Sequence, residues 1–277
     1  IFYKNPFKIL NDKKIDILFE CIGQSDGISK KIVEKALNDK IHVITPNKAL
    51  ISKHGDYLSK IAEKKKVNLE FEASVGGGIP ILRTIKEGLS TNIITKVYGI
   101  LNGTCNYILS EMDKTNDNFK NVLKKAQSLG YAEPGDPKLD INGYDTLAKV
   151  RILSSLAFKK KISRNNLLME GIEFIEPKDF KIANQLNLKI KLLGITEIIN
   201  NSLFERVHPC LVKKKSYIGN VDGVMNAVIL EGKPVGESIL QGEGAGPGPT
   251  SSALMSDLLS ILRGNIKNPL GASSDKR

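Results

Sequence analysis

Over its first 75 residues, the chain alternates short apolar runs with segments in which apolar residues recur every three or four positions. A short apolar run predicts a buried strand, and the longer period predicts an amphipathic helix. The predicted strands cover 14–23, 41–48 and 67–75, and the predicted helices cover 29–40 and 57–66. This alternation predicts a βαβαβ unit with a parallel sheet and right-handed crossovers.

Beyond residue 78 the pattern mixes helical and strand-like stretches. Helices are predicted at 79–89, 106–112, 119–130 and 251–263, together with one that starts near Asn142. Strands are predicted at 94–101 and within 180–230, where 221–232 has the pattern of two strands joined by a turn. Gly130 is the expected C-cap of the helix at 119–130, because glycine readily adopts the left-handed conformation that ends a helix.

Small clusters of polar and glycine residues follow the predicted strands. They are Cys21-Ile22-Gly23, Thr45-Pro46-Asn47-Lys48 and Gly76-Gly77-Gly78. Because a parallel sheet binds ligands at the carboxyl ends of its strands, these clusters are candidate contacts, although Lys48 is equally compatible with an ordinary surface lysine. Dinucleotide-binding folds of this kind start with a strand and a G-x-G-x-x-G loop. No G-x-G-x-x-G loop precedes the first predicted strand, so the chain is expected to begin inside such a fold.

The helix that starts near Asn142 carries the strongest indication of chemistry. Asp145 and Lys149 share a face with apolar residues, and the opposite face is apolar as well, which is typical of a buried helix. A buried carboxylate and a buried ammonium are costly unless they pair or have a function. Two alternatives stay open: Asn142 as the N-cap with Asp145 at the third helical position, or a surface ion pair between residues four apart.

Three further carboxylates, Glu133, Asp136 and Asp140, lie in the loop before this helix. A solvated acidic loop is the simpler interpretation. Together with Asp145 and Lys149, however, these groups would suit a small zwitterionic substrate. Carboxylates bind an α-ammonium group, and a lysine polarises a carbonyl or transfers its proton.

Two further loops are each compatible with more than one interpretation. Glu72 precedes a run of small residues and suits a hard cation held by oxygen ligands, although a plain tight turn explains the same pattern. The stretch Asn102-Gly103-Thr104-Cys105-Asn106 lies at a predicted strand-to-helix corner. It is compatible with a packing turn, with Cys105 as a nucleophile, or with a loop whose backbone amides hold a ligand.

Composition narrows the class of protein. The 277 residues carry a formal net charge of +11 and no tryptophan. The excess lysines are scattered, without an arginine-rich stripe or interleaved aromatic residues, which favours an anionic small molecule over nucleic acid. The three cysteines follow no metal-binding or disulfide spacing, and no apolar run reaches the length of a membrane span. We therefore predict a cytoplasmic protein with no membrane or nucleic-acid partner.

Several long motifs together resemble the homoserine dehydrogenase family, in the family's order and across residues 14–264. They are TPNKAL, EASVGGGIPIL, GILNGTCNYILSEM, LGYAEPGDPKLDINGYDTLAKVRIL, VHPCLV, DGVMNAVILEG and GEGAGPGPTSSALMSDL. The resemblance implies NAD(P)H-dependent reduction of L-aspartate 4-semialdehyde to L-homoserine, on the route to threonine and methionine. It also implies an α/β fold with a partial Rossmann-like dinucleotide-binding domain and an α/β catalytic and dimerisation domain.

The resemblance implies roles for individual residues. Lys149 is the expected proton donor and acceptor, supported by Asp145, and Lys48 is expected to face both nicotinamide and substrate. The ligand-binding roles are Glu133 and Asp140 for the substrate, Ile22, Thr45, Lys48, Gly130 and Gly244 for an NAD or NADP cofactor, and Glu72, Val75, Gly77 and Ile79 for a sodium ion. A nucleophilic role for Cys105 is disfavoured, because relatives often carry threonine there and hydride transfer needs no covalent intermediate.

The implied domains are a partial dinucleotide-binding domain at 1–71, to which 245–264 return, a catalytic and dimerisation domain at 72–244, and a tail or linker at 265–277. A homodimer or higher homo-oligomer is expected. We expect the chain to be truncated at both ends and, without a glycine loop for the pyrophosphate, to bind cofactor weakly. The alternative is a non-catalytic dimerising fragment of such an enzyme.

Overall fold

The computed structural model describes residues 3–11, 15–162, 167–264 and 266–277. Residue 14, where the first strand is predicted to begin, and residue 265, where the predicted tail begins, lie outside the described residues. The helices are α1 (Ile28–Asn38), α2 (Lys48–Lys65), α3 (Ile81–Arg83), α4 (Gly103–Thr115), α5 (Phe119–Ser128), α6 (Lys138–Ile141), α7 (Tyr144–Phe158), α8 (Pro177–Gln185) and α9 (Pro247–Leu262). The strands are β1 (Ile17–Phe19), β2 (His42–Ile44), β3 (Leu69–Glu70), β4 (Ile93–Ile100), β5 (Leu168–Met169), β6 (Leu188–Ile199), β7 (Ser202–Lys213), β8 (Met225–Lys233) and β9 (Gly236–Glu243). Within these described ranges, no helix is long and apolar enough to cross a membrane.

The chain forms two compact units. The first consists of residues 1–90, 152–163 and 247–277, and the second consists of residues 91–151 and 164–246. The predicted domains divide the chain differently, since they assign 72–90 and 152–163 to the second domain and leave 265–277 as a tail. The division between the units therefore falls later than the predicted boundary at residue 72.

Hydrogen bonds inside the first unit explain this difference. The Glu72 carboxylate accepts from the backbone N–H groups of Leu82 and Arg83 at 2.8 and 2.9 Å, and the Asp257 carboxylate accepts from the Glu72 N–H at 2.9 Å. These bonds join the segment after β3 to α3 and α9. At the other end of the chain, Leu270 is fully buried and the Ser274 N–H donates to the Glu63 carboxylate at 2.9 Å. The segment 266–277 is therefore packed on the first unit.

The first unit contains a parallel sheet in the order β1–β2–β3. Ile17 pairs with His42, and Val43 pairs with Leu69. Helix α1 connects β1 to β2, and α2 connects β2 to β3, so the predicted βαβαβ unit is confirmed. Each strand is shorter than its apolar run. The core of the first unit contains fully buried side chains from the helices and from the sheet: Val33, Leu37, Val43, Leu50, Leu58 and Leu69.

Helix α2 begins at Lys48, well before the predicted start at residue 57, so this prediction is wrong at its N-terminal end. Asn47 caps the helix, because its Oδ1 accepts from the Leu50 N–H at 3.0 Å. Gly55 weakens the helical pattern in the sequence. Its place is set by close packing, since a Cβ atom there would lie 2.8 Å from Cδ1 of Ile162.

The second unit contains a six-stranded sheet in the order β5–β7–β6–β4–β8–β9. Its strands pair antiparallel, except for the parallel pair β5–β7. The prediction of two strands within 221–232 is wrong, because β8 continues through Lys233 and pairs with β9, which the pattern missed. β9 lies at the sheet edge with half-exposed and exposed residues along its length, so its sequence is too polar to indicate a strand. One face of this sheet contributes Ile100, Leu193, Ile195, Ala227 and Ile229 to a buried apolar cluster, which Ile218 and Val221 join from the segment between β7 and β8.

The structure contradicts the alternative in which Asn142 is the N-cap of α7. Asn142 instead ends the short helix α6, and Gly143 follows with φ 88°. Helix α7 then begins at Tyr144. The left-handed glycine predicted after α5 is confirmed, because Gly130 has φ 77° and its N–H donates to the Gln127 carbonyl.

Candidate active site

Asn102, the residue before α4, organises the strand-to-helix corner in the second unit. Its Oδ1 accepts from the Cys105 N–H at 2.8 Å, so Asn102 caps the helix. Its Nδ2 donates to Oδ1 of Asp140 at 2.8 Å and to Oδ2 of Asp145 at 2.9 Å. One amide side chain thus joins the start of α4 to carboxylates from α6 and α7.

Lys149 and Asp145 form a buried ion pair one turn apart on α7. The Lys149 Nζ lies 2.8 Å from Oδ2 of Asp145 and donates to the Leu101 carbonyl at 2.6 Å. The two residues are only 8% and 7% exposed. The alternative of a surface ion pair is therefore wrong, and this pair carries the cost of desolvation that a functional or tightly bonded pair must offset.

This arrangement sets what the ammonium group of Lys149 can do. An ammonium group has three N–H donors. Within the described part of the chain, the Leu101 carbonyl and the Asp145 carboxylate account for two of them. These two contacts orient the group and use two of its three N–H donors. A fixed ammonium of this kind suits proton transfer to an oxygen on which negative charge develops.

Cys105 lies beside this cluster but is buried too deeply to act as a nucleophile. Its side chain is fully buried, and its Sγ donates to the Asp140 carbonyl at 3.3 Å. Burial raises the pKa of the thiol well above its usual value, and the charges of Asp140 and Asp145 add to this effect. A thiol attacks as its thiolate, which these surroundings disfavour. Among the three interpretations of the corner, the geometry favours the packing turn, in which Asn102 caps α4.

The remaining predicted acids lie outside this cluster. Glu133 and Asp136 are exposed on the loop between α5 and α6. The Asp136 carboxylate is 3.8 Å from the ammonium of Lys138, which is also exposed. Of the four carboxylates that the sequence groups together, the contacts of Asn102 join only Asp140 and Asp145.

A second polar network, at the carboxyl ends of β1 and β2 in the first unit, centres on Glu20, a residue that the sequence analysis missed. Glu20 is 2% exposed. Its Oε1 accepts from the Ile22 N–H at 2.8 Å and from the Ser29 hydroxyl at 2.5 Å. Its Oε2 accepts from the Thr45 hydroxyl at 2.7 Å and lies 3.3 Å from Nδ2 of Asn47. The available signal was an acidic residue near the end of the run predicted as the first strand, 14–23.

The predicted cofactor residues belong to both units. In the first unit, Ile22 is exposed beyond the end of β1, Thr45 is fully buried, and the half-buried Lys48 is the first residue of α2. In the second unit, Gly130 is exposed after α5. Gly244 follows β9, where a Cβ atom would lie 2.0 Å from Nδ2 of Asn226, so a larger residue would require the Asn226 side chain to move.

Comparison with known families decides the family. A model described as homoserine dehydrogenase matches residues 80–259, and one described as the NAD-binding domain of homoserine dehydrogenase matches residues 2–72. The chain belongs to the homoserine dehydrogenase family. The fold predicted from the resemblance, a Rossmann-like domain with a catalytic α/β domain, agrees with the solved structures of this family.

Individual relatives support the same family assignment. The chain is 43% identical to homoserine dehydrogenase from Neisseria gonorrhoeae, over 95% of this chain and 60% of that protein. It is 42% identical to the Helicobacter pylori enzyme, over 98% of this chain and 65% of that protein. The crystal structure of a homoserine dehydrogenase from Thiobacillus denitrificans superposes with a TM-score of 0.91 at 43% identity, covering 94% of this chain and 60% of that one. The chain thus spans about 60% of the length of these homoserine dehydrogenases.

The loop predicted to hold sodium makes hydrogen bonds within the protein. Both carboxylate oxygens of Glu72 accept backbone N–H groups at the start of α3, from Leu82 and Arg83. The carbonyl of Ile79 accepts from the Ile81 N–H at 2.7 Å. Two of the four predicted ligands therefore already have protein donors. Among the described residues, no group of three or more histidine, cysteine or acidic side chains is suited to a metal ion.

Glu72 also belongs to a buried cluster of charges in the first unit. Lys86 pairs with Glu70 at 3.1 Å, and Arg83 lies 3.3 Å from Asp257. Burial raises the pKa of Asp257 to about 7, and the charge of Glu70 adds to this effect. Burial also raises the pKa of Glu72. The cluster therefore holds carboxyl groups that are easier to protonate than usual.

Proposed function

We propose that the protein is an NAD(P)H-dependent homoserine dehydrogenase that reduces L-aspartate 4-semialdehyde to L-homoserine, for threonine and methionine synthesis. The observation that carries this proposal is the buried Lys149–Asp145 pair, which Asn102 ties to Asp140 in a member of this family. Such a pair gives the chain one oriented proton donor next to carboxylates.

The chemistry divides between cofactor and chain. When bound, the reduced nicotinamide supplies a hydride to the aldehyde carbon. Lys149 holds a proton at Nζ and delivers it to the aldehyde oxygen, so that a C=O group plus hydride plus proton becomes CH–OH. Asp145 and the Leu101 carbonyl keep the ammonium in place during the transfer.

The substrate is bound through its zwitterionic end. We assign Asp140 to the α-ammonium group, because Asn102 already orients its carboxylate. Glu133 is proposed as a second substrate ligand that approaches from its exposed loop. Carboxylates recognise an ammonium group through charge-assisted hydrogen bonds.

The cofactor is proposed to contact Ile22, Thr45 and Lys48 in the first unit; Gly130 and Gly244 remain contacts implied by the family resemblance. The match of residues 2–72 to an NAD-binding domain supports this assignment. The exposed Ile22 and the turn at Gly23, with φ 90°, leave the carboxyl end of β1 open to a flat ring.

A structural sodium ion at Glu72, Val75, Gly77 and Ile79 is a separate proposal. Its support is a donor set made only of oxygens, which suits a hard cation. If it binds, the melting temperature of the protein should be higher in sodium chloride than in choline chloride at equal ionic strength. The difference should vanish in Glu72→Gln. Equal melting temperatures in the two salts would contradict the sodium proposal. Glu72 would then have only its role of accepting N–H groups at the start of α3.

We also propose that the protein is a cytoplasmic homodimer built on the sheet of the second unit. This sheet exposes apolar side chains, among them Phe204 and Ile239. Sedimentation at micromolar concentration should show a dimer, and a monomer would contradict the proposal.

The reaction itself is tested with the chain as it stands. L-Aspartate 4-semialdehyde is mixed with the protein and either NADPH or NADH, and loss of the reduced cofactor is followed by absorbance. We expect turnover with at least one cofactor, at concentrations high enough to offset the weak cofactor binding predicted from the sequence, and L-homoserine as the product. A dimer that binds substrate and cofactor without turnover would favour the alternative of a non-catalytic dimerising fragment.

A further inference from the structure

Glu20 is a buried carboxylate surrounded by neutral hydrogen-bond donors. Its contacts are a backbone N–H, two hydroxyl groups and an amide: those of Ile22, Ser29, Thr45 and Asn47. The ion pairs found among the described residues do not include Glu20. A buried carboxylate without a cationic partner is costly, so the residue is not explained by packing alone.

The carboxylate lies between the N-termini of two helices. Ser29 is the second residue of α1, and Asn47 is the residue that caps α2. The positive end of a helix dipole stabilises a nearby anion, which compensates Glu20 for the missing cation. Helix α1 begins after Gly27, which forms no side-chain cap. In the first turn of this helix, the Ser29 hydroxyl donates a hydrogen bond to the Glu20 carboxylate.

Through these contacts, Glu20 links the loops after β1 and β2. Its Oε1 holds the Ile22 N–H after β1, and its Oε2 holds Thr45 after β2. The amide nitrogen of Asn47 adds a second link, since it lies 2.8 Å from the Gln24 carbonyl and 3.0 Å from the Ser29 hydroxyl.

The same contacts reach the start of α2. The Asn47 amide is oriented by Glu20 on its nitrogen side and caps the Leu50 N–H on its oxygen side. Lys48, the first residue of α2, follows directly. The backbone path of Lys48 therefore depends on the orientation of Asn47, which depends on Glu20.

We propose that Glu20 is a positioning residue for the nicotinamide cofactor: it holds the loops after β1 and β2, and with them Thr45 and Lys48, in the geometry that binds the cofactor. This rests on the proposed function, in which Ile22, Thr45 and Lys48 contact that cofactor. Glu20 itself is too buried to touch a ligand and acts through its neighbours.

The test is Glu20→Gln, which keeps the shape of the side chain but replaces one acceptor oxygen with a donor that faces other donors. We expect the dissociation constant for NADPH or NADH, whichever the wild type prefers, to rise about tenfold. At saturating cofactor, kcat should stay within about threefold of wild type, because Lys149 and Asp145 are untouched. Ser29→Ala removes one contact only and should weaken cofactor binding by about two- to threefold.

Two comparisons separate positioning from general loss of stability. Glu70→Gln is the matched control, because Glu70 is also a buried carboxylate at a strand end of the first unit and pairs with Lys86. It should lower the melting temperature without changing the cofactor dissociation constant. Without any cofactor, amide hydrogen exchange over residues 45–50 should accelerate in Glu20→Gln and stay unchanged in Glu70→Gln.

The outcomes distinguish this inference from the proposed function. If the wild type binds cofactor and Glu20→Gln binds it equally well with a lower melting temperature, Glu20 is only structural and the inference is overturned. Unchanged hydrogen exchange over 45–50 in Glu20→Gln would overturn it as well. If the wild type binds neither NADPH nor NADH, the proposed function fails, whatever the exchange data show about the loops.

Discussion

Asn47 in the first unit and Asn102 in the second have the same local role in different surroundings. Each precedes a helix and caps it through Oδ1, and each presents its amide nitrogen to a buried carboxylate. Asn47 meets Glu20, whose other partners are hydroxyl and backbone N–H groups. Asn102 meets Asp145, which also binds the ammonium of Lys149.

The different partners of Asn47 and Asn102 indicate which of the two networks can perform acid–base chemistry. Hydroxyl and amide donors keep their protons near neutral pH, and the Glu20 carboxylate is too buried to touch a ligand, so the network of Asn47 is suited to holding geometry. A lysine ammonium can give up a proton to a developing alkoxide. In the proposed function, a capping asparagine therefore has a different use in each unit: Asn47 supports cofactor positioning and Asn102 supports proton transfer. The predictions below test this division.

The largest effect is expected for Lys149→Ala. The substitution removes the ammonium that pairs with Asp145 at 2.8 Å, and with it the proposed proton donor. Turnover should fall by about 10²–10⁴, the range for a positioned acid–base group. Steady-state kinetics at saturating cofactor and substrate measure this loss.

Lys191→Met is the matched control for that loss. Lys191 is also a buried lysine of the second unit, and it bonds to the Asn106 side chain, the Val221 carbonyl and Asp222. It should lower stability and leave turnover per folded molecule within a few-fold of wild type. Full activity in a folded Lys149→Ala protein would exclude Lys149 from the mechanism.

A smaller effect is expected for Asn102→Ala. Asp140 and Asp145 lose their shared donor, and α4 loses its cap, so the free energy of unfolding should fall by about 1–3 kcal/mol. Turnover should fall about tenfold, because misplaced carboxylates misplace Lys149 as well.

Asn47→Ala sharpens the comparison with Asn102→Ala. It should cost similar stability but raise the KM for the cofactor more than it lowers kcat, since its network holds the loops after β1 and β2. Urea unfolding and kinetics with varied cofactor measure both variants. The division between the two networks would be wrong if Asn47→Ala lost turnover while Asn102→Ala kept it.

The sequence predicted the Lys149–Asp145 pair because spacing along a buried helix is visible in the pattern of residues. The same pattern could not show Glu20 as part of a site, since its partners Ser29 and Asn47 come from elements whose approach depends on the folded sheet. β9 was missed for a related reason. Its polar edge residues resemble a loop, and only pairing with β8 makes them a strand.

The pH dependence of stability tests a second buried carboxylate of the first unit, Asp257. Its pKa of about 7 in the folded protein lies above the ordinary value, because of burial and the nearby charge of Glu70. The folded state then binds the proton more tightly than the unfolded chain, so this group favours folding at low pH. Its contribution is fully present below about pH 4 and is lost as the pH rises towards about 7, with a total of up to about 4 kcal/mol.

Asp257→Asn isolates this contribution from other titrating groups. The amide still offers an oxygen to the Glu72 N–H but does not titrate. Relative to wild type, the variant should be more stable at about pH 8 than at about pH 5, as measured by urea unfolding at both values. The opposite sign would show that the neighbouring Arg83 and Lys86 dominate and hold Asp257 ionised.

The smallest effect is expected for Cys105→Ser. The new hydroxyl keeps a donor in reach of the Asp140 carbonyl, and the backbone N–H at this position still bonds to Asn102. Because burial raises the pKa of the thiol, no thiolate is available for the variant to lose, and turnover should stay within about threefold of wild type. The native protein should also resist alkylation at this cysteine, whereas the exposed Cys21 should react, as peptide mass spectrometry would show. A hundredfold loss of turnover in Cys105→Ser would instead place the thiol in the reaction and transfer to it part of the chemistry assigned to Lys149.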